Sequence, residues 1–173
     1  VNYAKESSPY YKRLYEDIGD DFKLSDLPPT NKMELMSHFD DWITDRSITL
    51  SDINEFIKDL DNIGRKLKGD YLVLTTSGST GNPLVMLCDR NTNNIMGGIS
   101  VTRAFARKQD MKAFVKAGKK TIGVFATGGF YLGNSSVRSR LLAMPWKKKQ
   151  MAVTSALFPI SQIVEELNAF QPA

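Results

Sequence analysis

The chain has 173 residues, 42% of them hydrophobic, and its 23 lysines and arginines against 19 acidic residues give a formal net charge of +4. Such a balance excludes a disordered polyelectrolyte and fits one domain, or one domain with an appendage. One cysteine and one histidine exclude a disulfide scaffold and any metal centre of recognised ligand spacing. No apolar run reaches membrane-spanning length, and Val1-Asn2-Tyr3-Ala4-Lys5 opens no signal-peptide pattern, so a cytoplasmic protein without a membrane partner is expected.

In chain order, residues 1–68 read as a mostly helical N-terminal segment. Asn31 and Glu34 stand as a capping pair and Ser51 as a second N-cap. Ile53, Phe56, Ile57 and Leu60 recur at i, i+3, i+4 and i+7, the spacing of one buried helix face. The lone His38, next to Phe39 and beyond a helix, reads as a surface or half-buried structural residue. Gly64 to Asp70, rich in basic residues, reads as a connector.

Residues 69–173 read as a phosphate-loop hairpin followed by an α/β portion. Tyr71-Leu72-Val73-Leu74 and Leu84-Val85-Met86-Leu87 are short apolar runs expected to form buried strands. Between them lies Thr75-Thr76-Ser77-Gly78-Ser79-Thr80-Gly81-Asn82-Pro83. Hydroxyls at Ser77, Ser79 and Thr80 offer donors to phosphate oxygens. Gly78 and Gly81 allow positive φ, so that backbone N–H groups can converge on an anion, and Pro83 fixes the exit. The alternative is a plain Ser/Gly-rich hairpin turn. This is not a Walker A loop, because Asn82 follows Gly81 where a lysine is needed; the correctly spaced pair Gly64 and Gly69 fails likewise at Asp70. There is no G-x-S-x-G nucleophile elbow, and Cys88 at the end of the second strand reads as a core residue.

Beyond the hairpin, Arg90 to about Lys108 places Ile95, Ile99, Thr102 and Phe105 at helical spacing, capped by Asp89 or Asn91. Thr121 to Ala126 and Gln150 to Thr154 read as strands, Ser135 to Met144 and Ser161 to Phe170 as helices, together a βαβα unit with parallel strands. In the last helix Ile163, Val164, Leu167 and Phe170 form the packed face, with Glu165, Glu166 and Asn168 towards water. Gly128 and Gly129 lie in the turn after the first parallel strand, at the carboxyl end where open α/β sheets bind ligands; a turn that merely admits a helix is the alternative. Lys119, Lys120, Arg138, Arg140 and Lys147-Lys148-Lys149 make the later half basic, by default a solvated face.

The order Ser77-Gly78-Ser79-Thr80-Gly81-Asn82-Pro83 after a strand resembles the phosphate-binding signature of the adenylate-forming enzymes: acyl-CoA synthetases, peptide-synthetase adenylation domains and luciferases. That family commonly has a lysine after the proline, where this chain has Leu84. The departure is similar to the phenylacetate-CoA ligase branch. Ser8-Pro9-Tyr10-Tyr11 and the stretch from Leu24 to Leu35 resemble the N-terminal approach of that branch and its capsule-biosynthesis relatives, as does the Ala126-Thr127-Gly128-Gly129 turn.

The resemblance implies an ATP-dependent carboxylate-activating enzyme that forms an acyl adenylate and then a thioester. ATP, Mg2+ and coenzyme A are implied, with a small carboxylic acid, aryl by resemblance, as substrate; nucleic acid is not an expected partner. The loop from Thr76 to Gly81, with Gly128 and Gly129, would bind nucleotide, and no catalytic residue is assigned. The chain starts without methionine and stops after a helix-like segment, so it is expected to be an N-terminal piece, inactive alone, with the family's catalytic glutamate, ribose-binding aspartate and C-terminal lysine beyond Ala173. Two other classes stand beside this one: a non-catalytic module whose loop is vestigial or binds another anion, and a basic nucleic-acid-binding domain.

Overall fold

The computed structural model describes residues 1–76, 78 and 83–173. They form a mixed α/β structure with a three-stranded antiparallel sheet and a two-stranded parallel sheet. The chain divides into two compact units, Val1–Phe56 and Ile57–Ala173.

The first unit is helical: α1 (Asn2–Ser7), α2 (Pro9–Leu14), α3 (Lys32–Ser37), α4 (Phe39–Trp42) and α5 (Leu50–Ile57), the last running into the boundary. Ser8 caps α2, its Oγ accepting from Tyr11 N at 3.3 Å, and Pro9 occupies the first helical position, where no N–H is needed. The same buried hydroxyl donates to the Asp41 carbonyl at 3.0 Å, tying α2 to α4. Around this joint, Trp42 Nε1 donates to Tyr11 Oη at 3.2 Å and Arg13 pairs with Asp41 at 2.7 Å. His38 is exposed at the end of α3, its ring 5.8 Å from that of Tyr10.

Asn31 caps α3 as expected, accepting from Glu34 N at 3.0 Å while its own amide donates to Glu34 Oε2 at 3.2 Å. For α5 the expected cap Ser51 is wrong. Thr49 Oγ1 accepts from Asp52 N and Asp52 Oδ2 accepts from Thr49 N, a reciprocal box that starts the helix two residues earlier. Ile53 is fully buried, but the helix ends at Ile57, so Leu60 falls in a 3-10 turn and is exposed.

In the second unit, β1 (Lys66–Leu67), β2 (Tyr71–Thr75) and β3 (Val85–Cys88) form the antiparallel sheet in that order. The expected connector therefore contains a strand; positive φ at Lys68 and Gly69 turns β1 back onto β2. Leu72, Val73 and Leu74 are all buried, each contributing of order 2 kcal/mol, and so β2 is the rigid spine of this unit. Cys88 packs with Leu72 and Leu74, and burial pushes its thiol up, which suits a core side chain rather than a nucleophile.

Next come α6 (Arg90–Arg103), capped by Asp89 accepting from Thr92 N at 2.6 Å, and α7 (Lys108–Lys116), which sequence reading did not anticipate. The isoleucines at helical spacing on α6 are open: Ile95 is 54% and Ile99 45% exposed. Helical spacing decides which side chains share a face but not what covers it. Phe105 lies past the end of α6, its ring 5.1 Å from that of Phe114.

The βαβα unit is present: β4 (Thr121–Phe125), α8 (Leu132–Ala143), β5 (Met151–Ser155) and α9 (Ile160–Phe170), with the strands parallel in the register Thr121↔Met151 to Phe125↔Ser155. On α9, Ile163, Leu167 and Phe170 are half-buried, whereas Val164 is exposed and Glu166 half-buried, so the packed stripe is narrower and slightly rotated from the one expected. Among the described residues no helix is long and apolar enough to cross a membrane.

Tyr10 offers a pH test of the first unit. Burial, reinforced by its hydrogen bond to Glu34 Oε1 at 2.7 Å, pushes its hydroxyl from 10.0 up to about 12. The folded state thus favours the protonated phenol, and this stabilisation is complete below the ordinary value and lost as pH rises through about 12. Ultraviolet titration of phenolate should show a late ionisation that Tyr10→Phe diminishes, the remainder belonging to Tyr15, whose hydroxyl burial also pushes up; ionisation of every tyrosine near 10.0 would contradict the packing.

Candidate functional site

The candidate loop is mounted at its neck on β2 and β3. After the last ladder pair, Thr75↔Val85, Thr76 N donates to the Leu84 carbonyl at 3.0 Å and Leu84 N donates to Thr76 Oγ1 at 2.9 Å. Thr76 therefore uses its hydroxyl to close the neck. Gly78 has φ +63, and a Cβ there would stand 3.4 Å from the Pro83 ring, so glycine suits both the backbone and the space. Ser77, Ser79, Thr80 and Gly81, with Asn82, lie outside the described residues.

The second candidate, the Gly128-Gly129 turn, meets this neck. Thr75 N donates to the Phe130 carbonyl at 2.8 Å, and the Phe130 side chain is buried. The end of β2 is thereby hydrogen-bonded to the turn at the carboxyl end of β4, where α/β sheets present ligand-binding loops. Two segments some fifty residues apart in sequence form one assembly.

Asn134, which sequence reading missed, shapes the turn from inside. Its fully buried amide donates to the Thr127 carbonyl at 3.1 Å and the Gly129 carbonyl at 3.2 Å, while its Oδ1 accepts from Arg138 Nε at 3.1 Å. Thr127 Oγ1 donates to Ser155 Oγ at 2.9 Å, locking together the carboxyl ends of β4 and β5. An asparagine at the start of a helix gives only a local capping signal; its inward role depends on tertiary packing.

Beside the turn, a groove of about 350 Å³ runs along α8 against α6. Met96, Phe125, Leu132 and Val137 make its apolar wall, and Ser100 and Arg140 supply polar groups. Glycines shape it. Side-chain carbons at Gly123 and Gly133 would both collide with the Phe125 ring, the second at 2.6 Å, and a carbon at Gly97 would press on Arg140 Nη2 at 2.8 Å. The ring is thus held between two bare backbones.

Chemically, the described part of the arrangement is a closed hairpin neck joined to a glycine turn, with an amphipathic groove beside that turn. The described neck carries no cation, since Leu84 occupies the position after Pro83. Among the described residues no group of three histidine, cysteine or carboxylate side chains could hold a metal. Comparison with protein-family models, with curated proteins and with solved structures finds no match for the chain.

The two kinds of glycine separate by substitution. Gly133→Ala should destabilise the chain by about 1–3 kcal/mol, because the Phe125 ring has no room to retreat past Gly123. At Gly128 an added carbon meets no described atom within 4 Å, and Gly128→Ala should change stability by less than about 0.5 kcal/mol. Denaturant unfolding of both variants checks this, and equal losses would contradict the packing.

Proposed function

We propose that the chain is part of an ATP-dependent carboxylate-activating enzyme resembling phenylacetate-CoA ligases. The observation that supports the reading is the bond from Thr75 N to the Phe130 carbonyl, which joins the neck of the hairpin to the glycine turn at the carboxyl end of a parallel strand. The loop from Thr76 to Gly81 grips the β- and γ-phosphates of ATP, with the Gly128-Gly129 turn next to its neck and open space at Gly128. A substrate carboxylate oxygen attacks the α-phosphorus, the bond to the bridging oxygen breaks, and pyrophosphate leaves as the acyl adenylate forms. A thiol, that of coenzyme A in this reading, then displaces AMP.

In this scheme the loop works by positioning the triphosphate and by stabilising the charge that builds on departing pyrophosphate. It is not a nucleophile. The residues that fit ATP are the hydroxyl and backbone donors of the loop; Mg2+ would accompany the triphosphate, and no described cluster of side chains is assigned to it. The groove along α8 is amphipathic, with Arg140 as its cation, which fits the apolar body of a small carboxylic acid.

Leu84 supports a second reading. Without a point charge after Pro83 the loop would bind an anion or a partner and catalyse nothing, leaving the chain a non-catalytic module. ATP should raise the melting temperature, by about 2.7 kcal/mol of added stability at one hundred times its dissociation constant, and the combined variant Ser79→Ala, Thr80→Ala should abolish the shift. An undiminished shift in that variant would overturn loop binding. ATP–pyrophosphate exchange with a panel of aryl and alkyl acids separates the two readings: exchange supports the enzyme, and a thermal shift without exchange supports the module.

A further inference from the structure

On the outer side of α8 lies a second cavity, of about 270 Å³, separate from the groove facing α6. It is built by a close backbone approach. Gly64, with φ +85, sits so tightly against α8 that a Cβ would stand 2.7 Å from Arg138 Cβ and from Ser139 N. No other residue type fits there, and the contact brings Arg65 to the cavity that Arg138 lines. The 3-10 turn Pro145–Lys149 then folds back and adds Lys148.

Both guanidinium groups are oriented through Nε. Arg65 Nε donates to the Asp61 carbonyl at 3.0 Å and Arg138 Nε donates to Asn134 Oδ1 at 3.1 Å. Among the described residues their terminal amino groups are left for a ligand. Among the described residues none of Arg65, Arg138 and Lys148 forms an ion pair, and the cavity holds one carboxylate, Asp61. Three cations against one anion repel one another, and Lys147 and Lys149 on the same turn add to the field. The floor is apolar, formed by buried Ile63 with Leu141 and Pro145.

We propose that this cavity binds a phosphate monoester carried on an apolar body. A carboxylate offers two oxygens and one charge; a phosphate monoester offers three terminal oxygens and nearly two charges, which matches two oriented guanidinium forks and one ammonium. The floor of Ile63, Leu141 and Pro145 takes the apolar part. The ligand is either a free organophosphate or a phospholipid headgroup, because the chemistry is the same; exposed Trp146 on the adjoining turn would suit the second source.

The test is calorimetric titration of the whole chain with phenyl phosphate, with benzoate as the carboxylate control, and co-sedimentation with phosphatidylcholine vesicles containing phosphatidic acid. Phenyl phosphate should bind about tenfold or more tightly than benzoate, and Lys148→Glu with Arg65→Glu should weaken it by at least about tenfold. Both positions are exposed, and Lys148→Glu alone, checked for folding by circular dichroism, guards against a collapsed double variant. Ser79→Ala with Thr80→Ala should leave binding unchanged, which separates this cavity from the hairpin loop. Vesicle binding that falls in the same charge variants identifies the lipid source and supports the proposal. Absence of binding to every phosphate probe, or binding indifferent to the charge variants, would overturn it.

Discussion

One hydrogen bond organises the second unit: Thr75 N to the Phe130 carbonyl, at 2.8 Å. It forms where β1, only two residues long, no longer pairs with β2, so the turn after β4 takes over as the neighbour of the last β2 residue. A buried backbone donor left unmatched would cost of order 1–3 kcal/mol, which makes the bond a structural necessity as well as a link. It links the antiparallel hairpin to the turn of the parallel βαβα unit. The hairpin neck is thus carried by a buried spine, Leu72 to Leu74, and buttressed by the turn.

Helix α8 extends the same logic in two directions. From its first turn Asn134 reaches back to hold the Thr127 and Gly129 carbonyls, and with its remaining oxygen steadies Arg138. The side chain that shapes the turn therefore also aims a guanidinium at the outer cavity. A polar group buried this deeply costs free energy unless it is bonded, and Asn134 avoids that cost by serving both ends. The groove towards α6 and the cavity towards Gly64 are opposite faces of one helix.

Much of this architecture was legible in the residues. Leu72 to Leu74 form an uninterrupted apolar run, and such runs read as buried strands wherever they occur; the alternation from Thr121 to Phe170 located two strands and two helices to within a few residues. Less legible were features created by packing. β1 is too short to show periodicity, α7 hides its apolar positions among charges, and the exposed stripe on α6 has the same spacing as a buried one. Thr49 outcompeted Ser51 because its partner Asp52 lies at the right distance to close a reciprocal box. Gly64 acts through contacts with Arg138 and Ser139, more than seventy residues away, and so had no local signature, whereas the partners of Asn134 lie within seven residues but are met only once the turn has folded back over α8.

The hairpin and the glycine turn were each visible as a motif; that they adjoin was not. Their meeting gives the nucleotide reading its physical content, because a phosphate chain needs donors from more than one direction, held without further cost on binding. Backbone amide chemical shifts followed by NMR during titration of the whole chain with ATP and Mg2+ test this most directly. The account predicts saturable shifts at residues 76–84 and at 127–130 with one shared dissociation constant. Shifts confined to the cavity around Arg65 and Arg138, with both of those segments unmoved, would contradict it.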